Sequence, residues 1–121
     1  MKGFATVNMA GRITDKPEVR YRTNGDPVVS FCVAVNRIVK SDFHEQKWTD
    51  YIDCINVGES AIEFAKQFKK GDGVEICGRL IQRRGQGPRP FSRLVVDVVS
   101  ITLIASPSEA TEIGGSRYES R

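Results

Sequence analysis

What this chain lacks narrows its chemistry. It has one histidine, His44, one tryptophan, Trp48, and three cysteines, Cys32, Cys54 and Cys77, none of them in a C-x-x-C pair. A zinc centre draws on closely spaced Cys, His or carboxylate ligands, and no cluster in the sequence has that spacing, so no metal is expected. No nucleophile elbow, phosphate loop or HExxH motif is present. Asp50 and Asp53 stand three apart on a strand-like stretch, which turns them to opposite faces and excludes an acid/base pair. The expectation is a binding protein that is not an enzyme and holds no cofactor. Long hydrophobic runs are also missing. None approaches the roughly 18 residues of a membrane span, and the N-terminus lacks the apolar core of a signal peptide. An odd number of widely spaced cysteines in apolar runs reads as small buried side chains in a reducing cytoplasm.

What is present suggests one domain. A chain of 121 residues can bury one modest core. Its net charge of +3 is mild, but its charge is unevenly distributed. The segment RLIQRRGQGPRPFSR, residues 79–93, carries five arginines and no acid. A basic stretch on an otherwise balanced domain points to a localised anionic partner.

The hydrophobic period is 2 for most of the length. Residues 3–13 read as a strand that ends at TDKP, since Pro17 cannot donate to a central ladder. EVRYRT is a short extended piece, and Asn24-Gly25 is a hairpin turn signal in which both residues accept positive φ. Residues 27–39 form a long strand with Val29, Phe31, Val33 and Val35 on one face. A polar loop is expected over 40–47, followed by a strand over 48–57. The period then becomes helical: Ala61, Phe64, Ala65 and Phe68 recur at i, i+3, i+4 and i+7. Ser60 and Glu63 match a capping box, and Gly71 suits a left-handed cap after Lys69 and Lys70. Strands resume over 73–84, with Gly78 marking a bend or bulge, and over 91–104, with the loop GQGPRP between them. Five main strands with one short helix between the third and fourth is the element order of an all-β, five-stranded Greek-key barrel, the OB-fold. Residues 1–104 would form this domain. Residues 105–121, small, polar and aperiodic, would form a disordered tail.

Such a barrel binds unpaired nucleic acid when cations follow the phosphates and flat rings receive the bases. The candidate cations are Arg12, Arg20, Arg22, Arg37, Lys47, Arg79, Arg83 and Arg84. The candidate rings are Tyr21, Phe43, Trp48, Tyr51 and Phe91. Phe64 and Phe68, at helical spacing, belong to the core.

Four segments, GRITDKPEVRYRTNG, VSFCVAVNR, TDYIDCINVG and FKKGDGVEICGRL, together resemble the bacterial single-stranded-DNA-binding protein family, in order and spacing, over roughly residues 3–104. The resemblance implies an OB-fold that binds and protects single-stranded DNA regardless of sequence during replication, repair or recombination. It also implies a homotetramer built as a dimer of dimers and a cytoplasmic, nucleoid-associated location. By position, Tyr51 matches a stacking aromatic and Arg20 a phosphate-meeting residue of the PEVRY segment. Lys70 lies in the KKGD turn, and Arg83 and Arg84 match basic residues of the hairpin after the helix. Other positions depart from the family. Val57 stands where many members have an aromatic, Glu59 where a lysine is common, and Val39 and Gly85 where some stack a tryptophan. Trp48 and Phe43 would replace part of that stacking. The tail ends GGSRYESR, without the acidic tip that recruits replication and repair proteins. The short tail and the lost stacking positions leave one alternative, an OB-fold protein-interaction module of the primosome-subunit type, and an OB domain that prefers RNA is a third.

Overall fold

Among the described residues, apolar alternation gives six strands and a 3.6-residue spacing gives one helix. The structure, a computed structural model, describes residues 1–85 and 87–108. In chain order the elements are β1 (Thr6–Ile13), β2 (Glu18–Tyr21), β3 (Pro27–Lys40), β4 (Glu45–Val57), α1 (Ser60–Gln67), β5 (Gly73–Gly85) and β6 (Phe91–Ala105). The tail expected over 105–121 lies outside the described residues from position 109 onward, while Ala105 itself still belongs to β6.

The strands run β1-β5-β6-β4-β3-β2, and a further β1–β3 pairing closes five of them into a ring. All pairings are antiparallel except β4–β6, where Cys54 and Ile55 meet Val96 and Asp97 in parallel. Closure occurs at the end of β1, where Arg12 and Ile13 oppose Ala34 and Val33. Gly11 makes this crossing possible, because a Cβ there would collide with the Ala34 carbonyl oxygen and crowd the Val33 side chain. The short β2 takes the rest of the same β3 edge, pairing over Pro27–Ser30. The OB-fold expectation therefore holds, with β2 as a sixth strand added to the five-stranded ring.

The core occupies the ring interior. Ile13, Val29, Phe31, Val33, Cys54, Val74, Ile76, Val96 and Val98 line it, and α1 closes one end with Ala61, Phe64 and Ala65, joined just beyond the helix by Phe68. Phe31, Phe64 and Phe68 form a tilted aromatic row with 5.0 Å between successive ring centroids. A smaller cluster of Val28, Ile55 and Val95, flanked by Val57 and Ile81, lies on the opposite face of the sheet. The pairs Val28/Val29, Cys54/Ile55 and Val95/Val96 each send one residue to each cluster, as the pleat requires.

Several local expectations need correction. The loop expected over 40–47 shrinks to 41–44, because cross-strand pairing continues to Lys40 opposite Glu45. Asn24 has negative φ and Gly25 alone is left-handed, at 91°. The five-residue connection is shaped instead by the Asn24 side chain, which accepts from the Asp26 N–H at 3.0 Å, an Asx-turn device. Ser60 caps nothing: Glu59 occupies the N-cap with helical φ/ψ and no side-chain bond. The helix ends at Gln67, before Lys69 and Lys70, so Gly71 is not its cap. Its φ of 91° serves a separate turn, in which Asp72 Oδ2 accepts from Lys69 N–H at 2.9 Å and Gly71 N–H donates to the Ile13 carbonyl at 2.8 Å. Gly78 does mark a register shift against β6, as expected. Of the cysteines, Cys54 is buried and Cys32 half-buried, but Cys77 is exposed, because it falls on the outward face of β5.

Two outcomes are expected. Gly11→Ala lowers the unfolding free energy by about 1–3 kcal/mol, the range of small overpacking changes, read as a lower urea midpoint with unchanged slope. Burial raises the Cys54 thiol from 9.0 to about 12, with smaller contributions from Cys32 and Asp53. The unfolded chain therefore ionises this thiol first. Its contribution to stability is complete below pH 9.0 and is lost as pH rises towards about 12. At about pH 8, a thiol reagent should modify Cys77 on mixing and Cys54 only at the rate of unfolding.

Candidate nucleic-acid interface

The outer face of the sheet is where the candidate binding residues gather. Along β4, Lys47, Thr49, Tyr51 and Asp53 point outward together, since alternate residues share a face. Tyr51 is 69% exposed. Its cross-strand neighbour is the small Ala34, which leaves the ring uncovered. Beside it, Thr49 Oγ1 donates to Asn36 Oδ1 at 2.8 Å.

The face deepens into a groove where β2 and the β5–β6 hairpin rise on either side. Ser30, Cys32, Asp53, Ile55 and Val95 form one part of it, with Lys16, Arg83 and Arg93 at its margins. The adjoining part runs between Arg20, Tyr21 and Arg22 on one side and Arg83, Arg84, Phe91 and Arg93 on the other. Desolvation raises the Cys32 thiol, which its hydrogen bond with Thr14 partly offsets.

The arginines of the hairpin are crowded. Arg83 stands directly opposite Arg93 in the β5–β6 ladder, an arrangement that is unfavourable for like charges. Partial relief comes from Asp53, 3.8 Å from Arg93, and from the Phe91 ring, 5.7 Å beneath the same guanidinium. Arg83 makes no ion pair among the described residues. Arg84 donates to Gln82 Oε1 at 2.8 Å, and Gln82 in turn donates to Ser92. The Phe91 ring lies against Gly85 across the ladder, where any side chain would displace it. Arg20 is held by Glu18 at 3.3 Å. An anionic chain in this groove would replace the missing counter-charge.

The other candidate residues lie outside the groove. Arg12 donates to the Gly71 carbonyl at 2.7 Å and the Ser106 carbonyl at 3.1 Å, tying the end of β6 to the turn after the helix. Lys70 sits in that same turn, at the far end of β5 from the hairpin tip, or about 40 Å along a 13-residue strand. Arg79 forms a 2.7 Å ion pair with Asp97. Arg37 binds Asp50 at 2.6 Å and covers the Trp48 ring at 6.0 Å. Trp48 is three residues from Tyr51 and so faces the other side of the β3–β4 arm. One strand lying on the Tyr51 face does not meet both rings from that face. Phe43, 93% exposed, stands at the tip of the arm.

Arg93 is a groove residue that the candidate set omits. A usable signal existed: Arg83 lies two residues before Gly85 and Arg93 two after Phe91, so a regular hairpin puts them opposite one another. Lys16 carried no such signal, since it enters the groove from the β1–β2 turn.

Comparison with known proteins agrees with this architecture. Residues 4–104 match the single-strand binding protein family. The chain is 34% identical over 110 residues to single-stranded DNA-binding protein 1 of Streptococcus agalactiae, spanning 91% of this chain and 67% of that protein. It is 33% identical over 110 residues to single-stranded DNA-binding protein 3 of Listeria innocua, at 91% and 68% coverage. Among solved structures, an SSB of Plasmodium falciparum in complex with ssDNA aligns with a TM-score of 0.72 and 19% identity, over 86% of this chain and 96% of that one. A small single-stranded DNA-binding protein from Streptomyces coelicolor aligns with a TM-score of 0.65 and 21% identity, over 85% and 96%. These structures share the fold, and the match across most of the sequence shows that the chain belongs to the single-strand binding protein family.

Proposed function

We propose that this protein binds single-stranded DNA without regard to sequence, in the groove between β2 and the β5–β6 hairpin. The observation that carries this reading is the exposed Tyr51 ring on the same sheet face as the opposed pair Arg83 and Arg93. Stacking needs the first and phosphate neutralisation needs the second. The family is one of non-enzymatic DNA-binding proteins. In this reading bases stack on Tyr51 and Phe91, while Arg20, Arg22, Arg83, Arg84 and Arg93 follow the phosphates. Lys47 extends the path along the Tyr51 face of the β3–β4 arm to Phe43 at its tip, while Trp48, Arg37 and Asp50 lie on the other side of the arm, within reach only of a strand that wraps around it. Arg12, Arg79 and Lys70 keep structural or remote positions and contribute little to affinity. Protection of strands exposed in replication, repair or recombination is the cellular role that follows.

A homo-oligomer, a tetramer arranged as a dimer of dimers, is part of the proposal. Over Thr6–Gly11, β1 pairs with β5 on one side only. Its other edge is a template for a second chain. Val99 and Leu103, 67% and 53% exposed on β6, offer apolar area for a further contact.

Fluorescence anisotropy with labelled oligo-dT tests the reading. Five groove arginines displacing counterions should make log K fall against log salt with a slope of about −3.5; absence of binding at low salt rejects it. An equal-length RNA competitor should displace the DNA poorly, and effective competition would favour the RNA-preferring alternative. Tyr51→Ala should cost about 1–3 kcal/mol of binding with an unchanged melting temperature, whereas unchanged affinity would move the stack elsewhere. Arg83→Ala should flatten the slope by about 0.7, and an unmoved slope would remove Arg83 from the phosphate path.

A further inference from the structure

Three acids line the groove among its cations, Asp15, Glu18 and Asp53, and of these Asp53 alone shares the strand and face of Tyr51. Asp53 lies on β4, two residues from Tyr51 and on the same face, so about 7 Å separates the two side chains along the strand. Its carboxylate is 51% exposed and borders the groove. Glu18 accepts from Arg20 at 3.3 Å and Asp97 from Arg79 at 2.7 Å, while Asp15 enters from the β1–β2 turn and not from the strand that carries Tyr51. Among the described residues Asp53 has only Arg93 as an ion-pair partner, at 3.8 Å, beyond hydrogen-bond reach. Its acceptor oxygens therefore remain available on the floor of a site that, in the reading above, receives phosphates and bases.

A carboxylate there repels phosphate and rewards only a donor. The donors a single strand can offer beside a stacking ring are on base edges. Cytosine presents its N4 amino group, which Asp and Glu side chains accept from. Thymine presents the O4 carbonyl at the same position, and two acceptors facing each other gain nothing. The two pyrimidines are equal in ring size, so the Tyr51 stack discriminates little between them. Arg93 completes the arrangement. When it turns to a phosphate, Asp53 loses its single cation and needs another partner, which an amino group supplies.

We propose that Asp53 is a specificity-determining residue of the groove: it accepts a hydrogen bond from the exocyclic amino group of the base stacked on Tyr51, and so favours cytosine over thymine at that position. This rests on the proposed binding of single-stranded DNA in the groove. The site thereby departs from pure sequence independence at one place along the bound strand.

The test compares oligo-dC and oligo-dT of equal length, by anisotropy, for the wild type and Asp53→Asn. The amide is the same size and offers a donor to thymine O4 as well as an acceptor. Removing the charge should tighten both oligomers, oligo-dT more, so that the dC/dT affinity ratio falls by about threefold or more. In a Tyr51→Ala background the same substitution should leave the ratio unmoved, because no base is held beside residue 53. An equal gain for both oligomers would overturn the base-edge role while leaving strand binding intact, since Asp53 would then act only by repelling phosphate. Failure of the wild type to bind either oligomer would instead reject the binding reading itself. Matching circular dichroism and melting curves for each variant guard against a folding effect.

Discussion

The structure depends on one crossing. A sheet closes into a barrel only where its first and last edges meet, and here β1 reaches β3 at Arg12 and Ile13 over a backbone that Gly11 leaves bare. Because β1 uses only residues 33 and 34 of that β3 edge, the stretch from Pro27 to Ser30 stays open and β2 occupies it. β2 then becomes one wall of the groove. The opposite wall is the β5–β6 hairpin, whose long ladder extends past the barrel to Gly85 and Phe91. The candidate binding face thus follows from how the ring is closed. The second apolar cluster, Val28, Ile55 and Val95, follows from it too, since strands in this region are covered on both faces.

Charge on and around the candidate face is divided between pairs internal to the protein and cations left open. Several basic residues already have carboxylate partners: Arg37 with Asp50, Arg79 with Asp97, Arg20 with Glu18. These exposed pairs stabilise little, but they neutralise much of the protein's positive field. The exception is the hairpin, where Arg83 opposes Arg93 and, among the described residues, only Asp53 at 3.8 Å answers. An anion gains most where the protein has left its own cations unsatisfied, so the hairpin, more than β4, dominates the electrostatics of the groove.

Much of the fold was legible because alternation and helical spacing are local. Val29, Phe31 and Val33 declare a strand face, and Ala61, Phe64, Ala65 and Phe68 declare a helix face, whatever lies across from them. Candidate rings were legible in type but not in direction. Trp48 and Tyr51 both read as exposed aromatics, and it is their three-residue offset on a continuous strand that turns them to opposite sides. The strand was expected to begin at Trp48. It begins at Glu45, because pairing with β3 outweighs the polar composition of that stretch.

The amino-acid sequence by itself determined the element types, the helix that plugs the barrel, the basic hairpin and the family motifs, since each is carried by residues close along the chain. Tertiary structure alone decided which cations remain available. Arg12 is spent on the carbonyls of Gly71 and Ser106, 59 and 94 residues away, and Arg79 on Asp97, 18 residues away. Contacts of that kind depend on the register of strands distant in sequence. Register is set by the closure of the whole barrel, which no local pattern encodes.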